Sequence, residues 1–124
     1  MNLDENSLAK LKQVHADLER VVLTAASITD LPFKVMEGLR SLDRQKYLVA
    51  KGASKTMNSR HLDGHAVDLG VLVNGSVNWE WSLYERLSHI VKKAAELEQV
   101  AITWGGDWKF KDGVHFELSW SVYK

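Results

Sequence analysis

The sequence predicts an α+β fold, with helices packed against a small, mostly antiparallel sheet in a single domain, residues 1–124. Three observations carry this reading. Apolar residues recur at spacings of three and four over residues 7–27 and 82–98, the period of a helix with one buried face. Alternation of period two begins at Ala66 and returns near the C-terminus, the period of half-buried strands. No repeat, low-complexity run or interdomain linker separates these segments.

The first helix, residues 7–27, places Leu8, Leu11, Val14, Leu18, Val21, Val22 and Ala25 inward, with Asn6 or Ser7 as its cap. "ITDLPF" ends it, because Pro32 would disrupt a helix interior or a central strand. "FKVMEGL" follows as a short extended segment. Ser41 caps a second helix, "LDRQKYLVAK", which stops at Gly52. The small polar residues of "ASKTMNSRHLDG" read as loop. From Ala66, a strand turns Val67, Leu69 and Val71 to one face and Ala66, Asp68 and Gly70 to the other. Asn74-Gly75 is a strong hairpin dipeptide. The third helix, 82–98, points Leu83, Leu87, Ile90, Val91, Ala94 and Leu97 inward. "VAITW" is a strand, "GGDWKFKDG" a loop and "VHFELSW" the last strand.

Composition narrows the function classes. The chain has 124 residues, 45% apolar and 26% charged, ordinary for a soluble domain with a real core. Sixteen basic residues balance sixteen acidic ones, so no net field recruits nucleic acid or an anionic membrane. Cysteine is absent, so any metal must be held by histidine and carboxylate. "MNLDENSLAKLKQ" lacks a basic segment followed by an apolar one, and no run approaches a membrane span; neither secretion by a signal peptide nor membrane insertion is expected. A monomer is expected.

The polar cluster "SRHLDGHAVDLG", residues 59–70, runs straight into the apolar "VLV". Asp68 stands between Ala66 and Gly70, whose small side chains leave its strand face open. His61 lies seven residues earlier, so the chain must bend between them, and Gly64 permits the bend. In "DGVHFEL", His115 points away from the core that Val114 and Phe116 face, and Asp112 lies three residues before it. Two imidazoles and a carboxylate with an open fourth position form a common catalytic zinc set. Spacing alone does not decide this: His-x6-Asp is far less specific than a helical H-E-x-x-H, and individual histidines are most often structural.

"SRHLDGHAVD" carries Ser59, His61, Gly64, Ala66 and Asp68 at the fixed positions of S-x-H-x-x-G-x-A-x-D, and so resembles the zinc D-Ala-D-Ala carboxypeptidase superfamily. "WGGDW" followed by "DGVHFEL" is similar to the second half of that pattern, and "GLRSLDRQKYLVAKGASKTMNSRH" to its Arg, Gln, Gly-x-Ser run. The resemblance spans roughly residues 32–118 and is greatest to the phage L-alanyl-D-glutamate endopeptidases, short endolysins. It implies that His61, Asp68 and His115 bind Zn²⁺ and that Asp112, a position where some members carry Glu, is the catalytic acid/base. It implies that Arg40 steadies substrate and developing negative charge, and that Ser59 braces the loop or contacts substrate. The implied partner is the peptidoglycan stem peptide. The implied setting is a protein made in the host cytoplasm and released to the wall by a holin. The length leaves no room for a wall-binding domain, which suits a thin wall reached from inside. A D-Ala-D-Ala carboxypeptidase or dipeptidase is the second enzyme reading. The third is a zinc-containing wall-peptide binding module without catalysis, which the retention of Asp112 argues against.

Other polar residues have plainer readings. His65 faces water or lines the cleft, the first being favoured. Glu117 shares a strand face with His115, either supporting it or lying on a solvated rim. Asp63 and Asp107 read as turn residues, and His15 and His89 as solvent-facing helical residues. Trp104 reads as core, and Trp108 either walls a groove or closes the core.

Overall fold

The computed structural model describes residues 1–54 and 56–124; Lys55, in the expected loop before the motif, lies outside the described residues. Helices α1 (Glu5–Leu11), α2 (Ala16–Ile28), α3 (Leu42–Lys51) and α4 (Trp81–Glu98) surround strands β1 (Phe33–Glu37), β2 (Ala66–Val73), β3 (Ser76–Asn78), β4 (Ile102–Trp104) and β5 (His115–Leu118). Short 3₁₀ turns occupy Arg60–Asp63 and Gly105–Asp107. The sheet order is β1-β2-β5-β4, with β3 also on β2, and every ladder is antiparallel. The expected α+β fold is the one observed.

The expected single helix over 7–27 is two helices. Asp4, not Asn6 or Ser7, caps α1 by accepting from the Ser7 N–H at 2.7 Å. The chain turns after Leu11, and His15 caps α2 with Nδ1, 3.0 Å from the Asp17 N–H. The break lets α1 lie along β1, where the Ser7 hydroxyl takes the Val35 N–H at 2.9 Å, while α2 packs on α4. His15 is accordingly half-buried rather than solvent-facing. Leu8 and Leu97, expected inward, are exposed, because nothing in the fold covers the flank each occupies.

β2 is the middle of the molecule. Val67, Leu69 and Val71 are fully buried in one cluster with Phe33, Val35 and Phe116 and with the inner faces of α2 and α4. Asn74 and Gly75, at φ 53° and 81°, form the hairpin turn into β3. Residues facing one another across a ladder share a sheet face. The pairs Asp68↔His115, Ala66↔Glu117 and Thr103↔Glu117 therefore stand together on the face opposite the core. β1 joins them through a bulge: register shifts between Val35 and Glu37, and Glu37 rather than Met36 pairs with Asp68.

Candidate active site

His61 is placed by the turn Arg60–Asp63. Ser59 caps this turn with its hydroxyl 3.2 Å from the His61 N–H, and Gly64 ends it at φ 74°. A side chain at Gly64 would also press on Gln13 O at 3.2 Å, so glycine is required there twice over. The bend expected between His61 and Asp68 is this turn. His61 Nδ1 donates to Gly38 O at 2.8 Å, and its Nε2 lies 3.1 Å from Asp68 Oδ1. From the facing strand, His115 Nδ1 lies 3.2 Å from the same Oδ1, while its Nε2 meets Glu117 Oε1 at 2.8 Å. One ligand atom from each of His61, Asp68 and His115 falls within 4.8 Å of the others.

These contacts test whether the residues suit a metal ion. A carbonyl can only accept, so His61 Nδ1 must carry its proton and present Nε2 inward. Nε2 then faces a carboxylate oxygen, acceptor against acceptor, unless a positive species lies between them. His115 is in the same position, with Glu117 claiming the proton on Nε2. Burial alone would lower the pKa of His115, but hydrogen bonds to Asp68 and Glu117 overcome it and push it up to about 9. Burial likewise opposes ionisation of Asp68, and the two histidines hold its carboxyl well below the usual range regardless. The three side chains converge on a point that demands positive charge, and two imidazoles with one carboxylate are a donor set that zinc takes.

Arg40 approaches from the other side. Its guanidinium grips Glu37 through Nε at 2.7 Å and Nη2 at 2.9 Å, donates from Nη1 to Gln45 Oε1 at 2.8 Å, and lies 3.7 Å from Asp68 Oδ2. Its backbone N–H also holds His61 O at 2.8 Å. Gln45, fully buried, continues to Ser54 Oγ at 2.8 Å and to Thr56 O, so the Arg-Gln-Gly-x-Ser run is one hydrogen-bonded chain. Glu37, Gln45 and Glu117 are the supporting residues that sequence reasoning missed or left open. Pattern does not reveal Glu37, because the bulge changes its face; Glu117 was legible as a neighbour of His115 but not as buried.

Asp112 is exposed at the cleft rim. Its N–H donates to Gly105 O at 3.0 Å and its carbonyl accepts from the His115 N–H at 3.2 Å, which fixes it beside the strand start. The walls around its carboxyl, and then the charge of Asp68, push its pKa up. A Cβ on Gly105 would come within 2.5 Å of Asp112 O, so that close approach needs glycine. Glu37, Arg40, His61, Asp68, Asp112 and His115 line a cleft of about 1080 Å³ that Ser59, Trp108 and Phe110 also border.

The remaining expectations resolve individually. Glu117 is buried against His115 and is no solvated rim. Trp104 is core: it stacks on Trp81 at 5.5 Å and donates to Gly113 O at 2.8 Å. Trp108 walls the cleft, 5.1 Å from the His115 ring. His65 is half-buried and does not line the cleft; it packs edge-on against His15 at 5.4 Å. Asp63 and Asp107 sit in turns, and His89 is exposed, as expected. No helix among the described residues is long and apolar enough to cross a membrane.

Known proteins resemble this chain throughout. The pattern of the family described as phage L-alanyl-D-glutamate peptidase matches residues 1–123. The L-alanyl-D-glutamate peptidase of Escherichia phage T5 is 23% identical over 123 residues, covering 96% of this chain and 90% of that protein. The one from Listeria phage A118 is 33% identical over 90 residues, covering 72% of this chain and 31% of that protein. The crystal structure of Serratia marcescens L-Ala D-Glu endopeptidase ChiX superposes with a TM-score of 0.92 at 43% identity, over 98% of this chain and 93% of that one. The vancomycin-resistance D,D-dipeptidase VanXYg, solved with a D-Ala-D-Ala phosphinate analog, shares the fold at a TM-score of 0.54 and 18% identity, over 85% and 50% of the two chains.

Proposed function

Because the chain belongs to the phage L-alanyl-D-glutamate peptidase family, we propose that it is a zinc-dependent endopeptidase cutting the L-Ala–D-Glu bond of the peptidoglycan stem. The observation that carries the reading is the convergence of His61 Nε2, Asp68 Oδ1 and His115 Nδ1 at one end of a cleft that Asp112 borders. His61, Asp68 and His115 would hold the ion; when bound it makes water acidic enough to yield hydroxide near pH ~7 and polarises a peptide carbonyl.

The protein's own groups do the rest. Gly38 and Glu117 keep the histidine protons on the outward nitrogens, so the inward ones stay free to ligate. Asp112 takes the proton of the attacking water and hands it to the departing amine of D-Glu. Arg40, clamped by Glu37 and Gln45, offers its remaining N–H donors to negative charge developing on the substrate. Ser59 serves through the turn it caps. The protein works as a monomer on the wall, after holin release from the cytoplasm of an infected cell. Digestion of purified peptidoglycan tests the reading. New N-terminal D-Glu, with about one zinc per chain by elemental analysis, supports it. Free D-Ala or D-Ala-D-Ala as the main product overturns it in favour of a dipeptidase.

A further inference from the structure

The cleft continues past the three-donor cluster along β5. His115, Glu117 and Ser119 alternate onto one face of the strand and its extension, where the Ser119 N–H still donates to Ala101 O at 3.0 Å. Ser119 Oγ and Thr103 Oγ1 lie 2.8 Å apart, and both residues border the cleft together with Trp120 and Ser121. Trp120 is 56% exposed and rests on Arg60, whose Cζ lies 3.8 Å from a ring centroid. Arg60 is itself fixed: 3% exposed, it donates from Nη2 to Leu118 O at 2.9 Å and to Tyr123 O at 2.6 Å. An indole held on one face by a seated guanidinium offers its other face to the cleft at little further cost in rotamer freedom. Trp120, Thr103 and Ser119 have no part in the chemistry above.

Direction along β5 follows from the proposed roles. Asp112, before the strand, hands its proton to the amine of D-Glu. The D-Glu side of the scissile bond therefore lies toward the start of β5, and the L-Ala side toward Ser119 and Trp120. In peptidoglycan the amine of that L-Ala is acylated by the lactyl ether of a muramic acid, so what lies beyond it is a sugar ring and not another amino acid. L-Ala and the lactyl unit span roughly 7 Å when extended. Ser119 is two same-face steps, roughly 13 Å, from His115, and the sugar ring bridges the difference. A pyranose has an apolar C–H face and a rim of hydroxyls, which match an aromatic face beside paired Ser and Thr hydroxyls.

We propose that Trp120, with Thr103 and Ser119 beside it, is the subsite for the muramic acid ring, so that the protein prefers stems still attached to glycan over stems already released from it. The inference rests on the proposed bond specificity. Two substrates isolate the ring: N-acetylmuramoyl-L-Ala-γ-D-Glu-L-Lys and N-lactoyl-L-Ala-γ-D-Glu-L-Lys, identical but for the sugar. We expect kcat/KM to favour the muramoyl peptide by roughly three- to tenfold, the worth of one aromatic contact, with the difference carried by KM. Trp120→Ala should bring that ratio near one, and Trp120→Phe, which keeps a ring face, should retain part of it.

A ratio of one in the wild type overturns the proposal, and so does a ratio that survives Trp120→Ala. Loss of the ratio in Phe110→Ala, with Trp120→Ala unaffected, overturns it too and moves the sugar to the Phe110 side of the cleft. Binding gives a readout that needs no cleavage. In zinc-loaded protein the Trp120 indole N–H, assigned by Trp120→Phe, should shift in NMR on titration with N-acetylmuramoyl-L-Ala and not with N-lactoyl-L-Ala. Should Trp120→Ala fail to fold, Trp120→Phe and this shift decide. If neither peptide is cleaved yet the selective shift appears, the endopeptidase reading falls and the sugar subsite stands; without the shift the subsite falls as well.

Discussion

Replacing Glu117 probes the proposed metal centre without altering a residue proposed to hold the ion. Glu117 is 4% exposed, and its Oε1 lies 2.8 Å from His115 Nε2, the nitrogen turned away from Asp68. In Glu117→Ala the Nε2 proton loses its acceptor in a place water reaches poorly, a penalty of about 1–3 kcal/mol. The imidazole can escape that penalty by moving its proton to Nδ1, and Nδ1 is then no longer free to ligate. Either way zinc affinity falls, by the ~10–100-fold typical of removing such a partner, or about 1.4–2.7 kcal/mol. Glu117→Gln can still turn an amide oxygen to Nε2, so its loss should be the smaller of the two. Zinc dissociation constants from chelator competition at neutral pH, with circular dichroism to confirm folding, make the comparison. An unchanged constant in folded Glu117→Ala would show that the carboxylate does not hold the ring, and the argument from tautomers would fail with it.

Asp112→Asn should lower turnover by roughly 10²–10⁴-fold while zinc content and melting temperature hold; loss of zinc would make Asp112 a ligand instead. Arg40→Ala should reduce both activity and stability, the latter by about 1–3 kcal/mol, since it strands the partly buried Glu37 and the buried Gln45; denaturant melts and initial rates on one preparation measure both. Asp17 is held below its usual pKa first by the hydrogen bond from Tyr123, 2.7 Å away, and then by Arg20. A depressed carboxyl stabilises above its unfolded value of 3.8 and loses that contribution as pH falls through the folded one. Metal-free Tyr123→Phe should therefore melt below wild type at pH 6, with the gap closing as pH falls below 3.8 and through the depressed folded value.

Much of this architecture is legible in the residues, because β2 alternates cleanly, Ser41 and Gly52 bracket α3, and Asn74-Gly75 makes its turn where such dipeptides do. The grouping of His61, Asp68 and His115 is legible through the motif they share with the resembled family; the small residues beside Asp68 and the bend at Gly64 agree with it but do not decide it alone. The break at His15 is not, since both flanking segments keep one helical period and the cap is a histidine rather than the usual Ser, Thr, Asp or Asn. Periodicity also says which residues align without saying what covers them, which is why it points Leu8 and Leu97 inward although the fold leaves both exposed. The bulge at Met36 hides Glu37 for a related reason: alternation assumes an unbroken register. Arg40 reads as a free cleft cation because its partners come from a strand end and a helix that only the fold brings near.

The opposition of Asp68 and His115 across the β2–β5 ladder bears on how this scaffold tolerates change. The chain between those strands adds β3 and β4 to the sheet and crosses over through α4, beginning with a hairpin whose tip, Asn74-Gly75, is exposed and has open space above Gly75. An insertion there lengthens an excursion without shifting either ladder partner. The tip is thus the natural graft point for a foreign recognition segment, one that redirects the protein to a different cell surface while the chemistry stays where the ladder puts it.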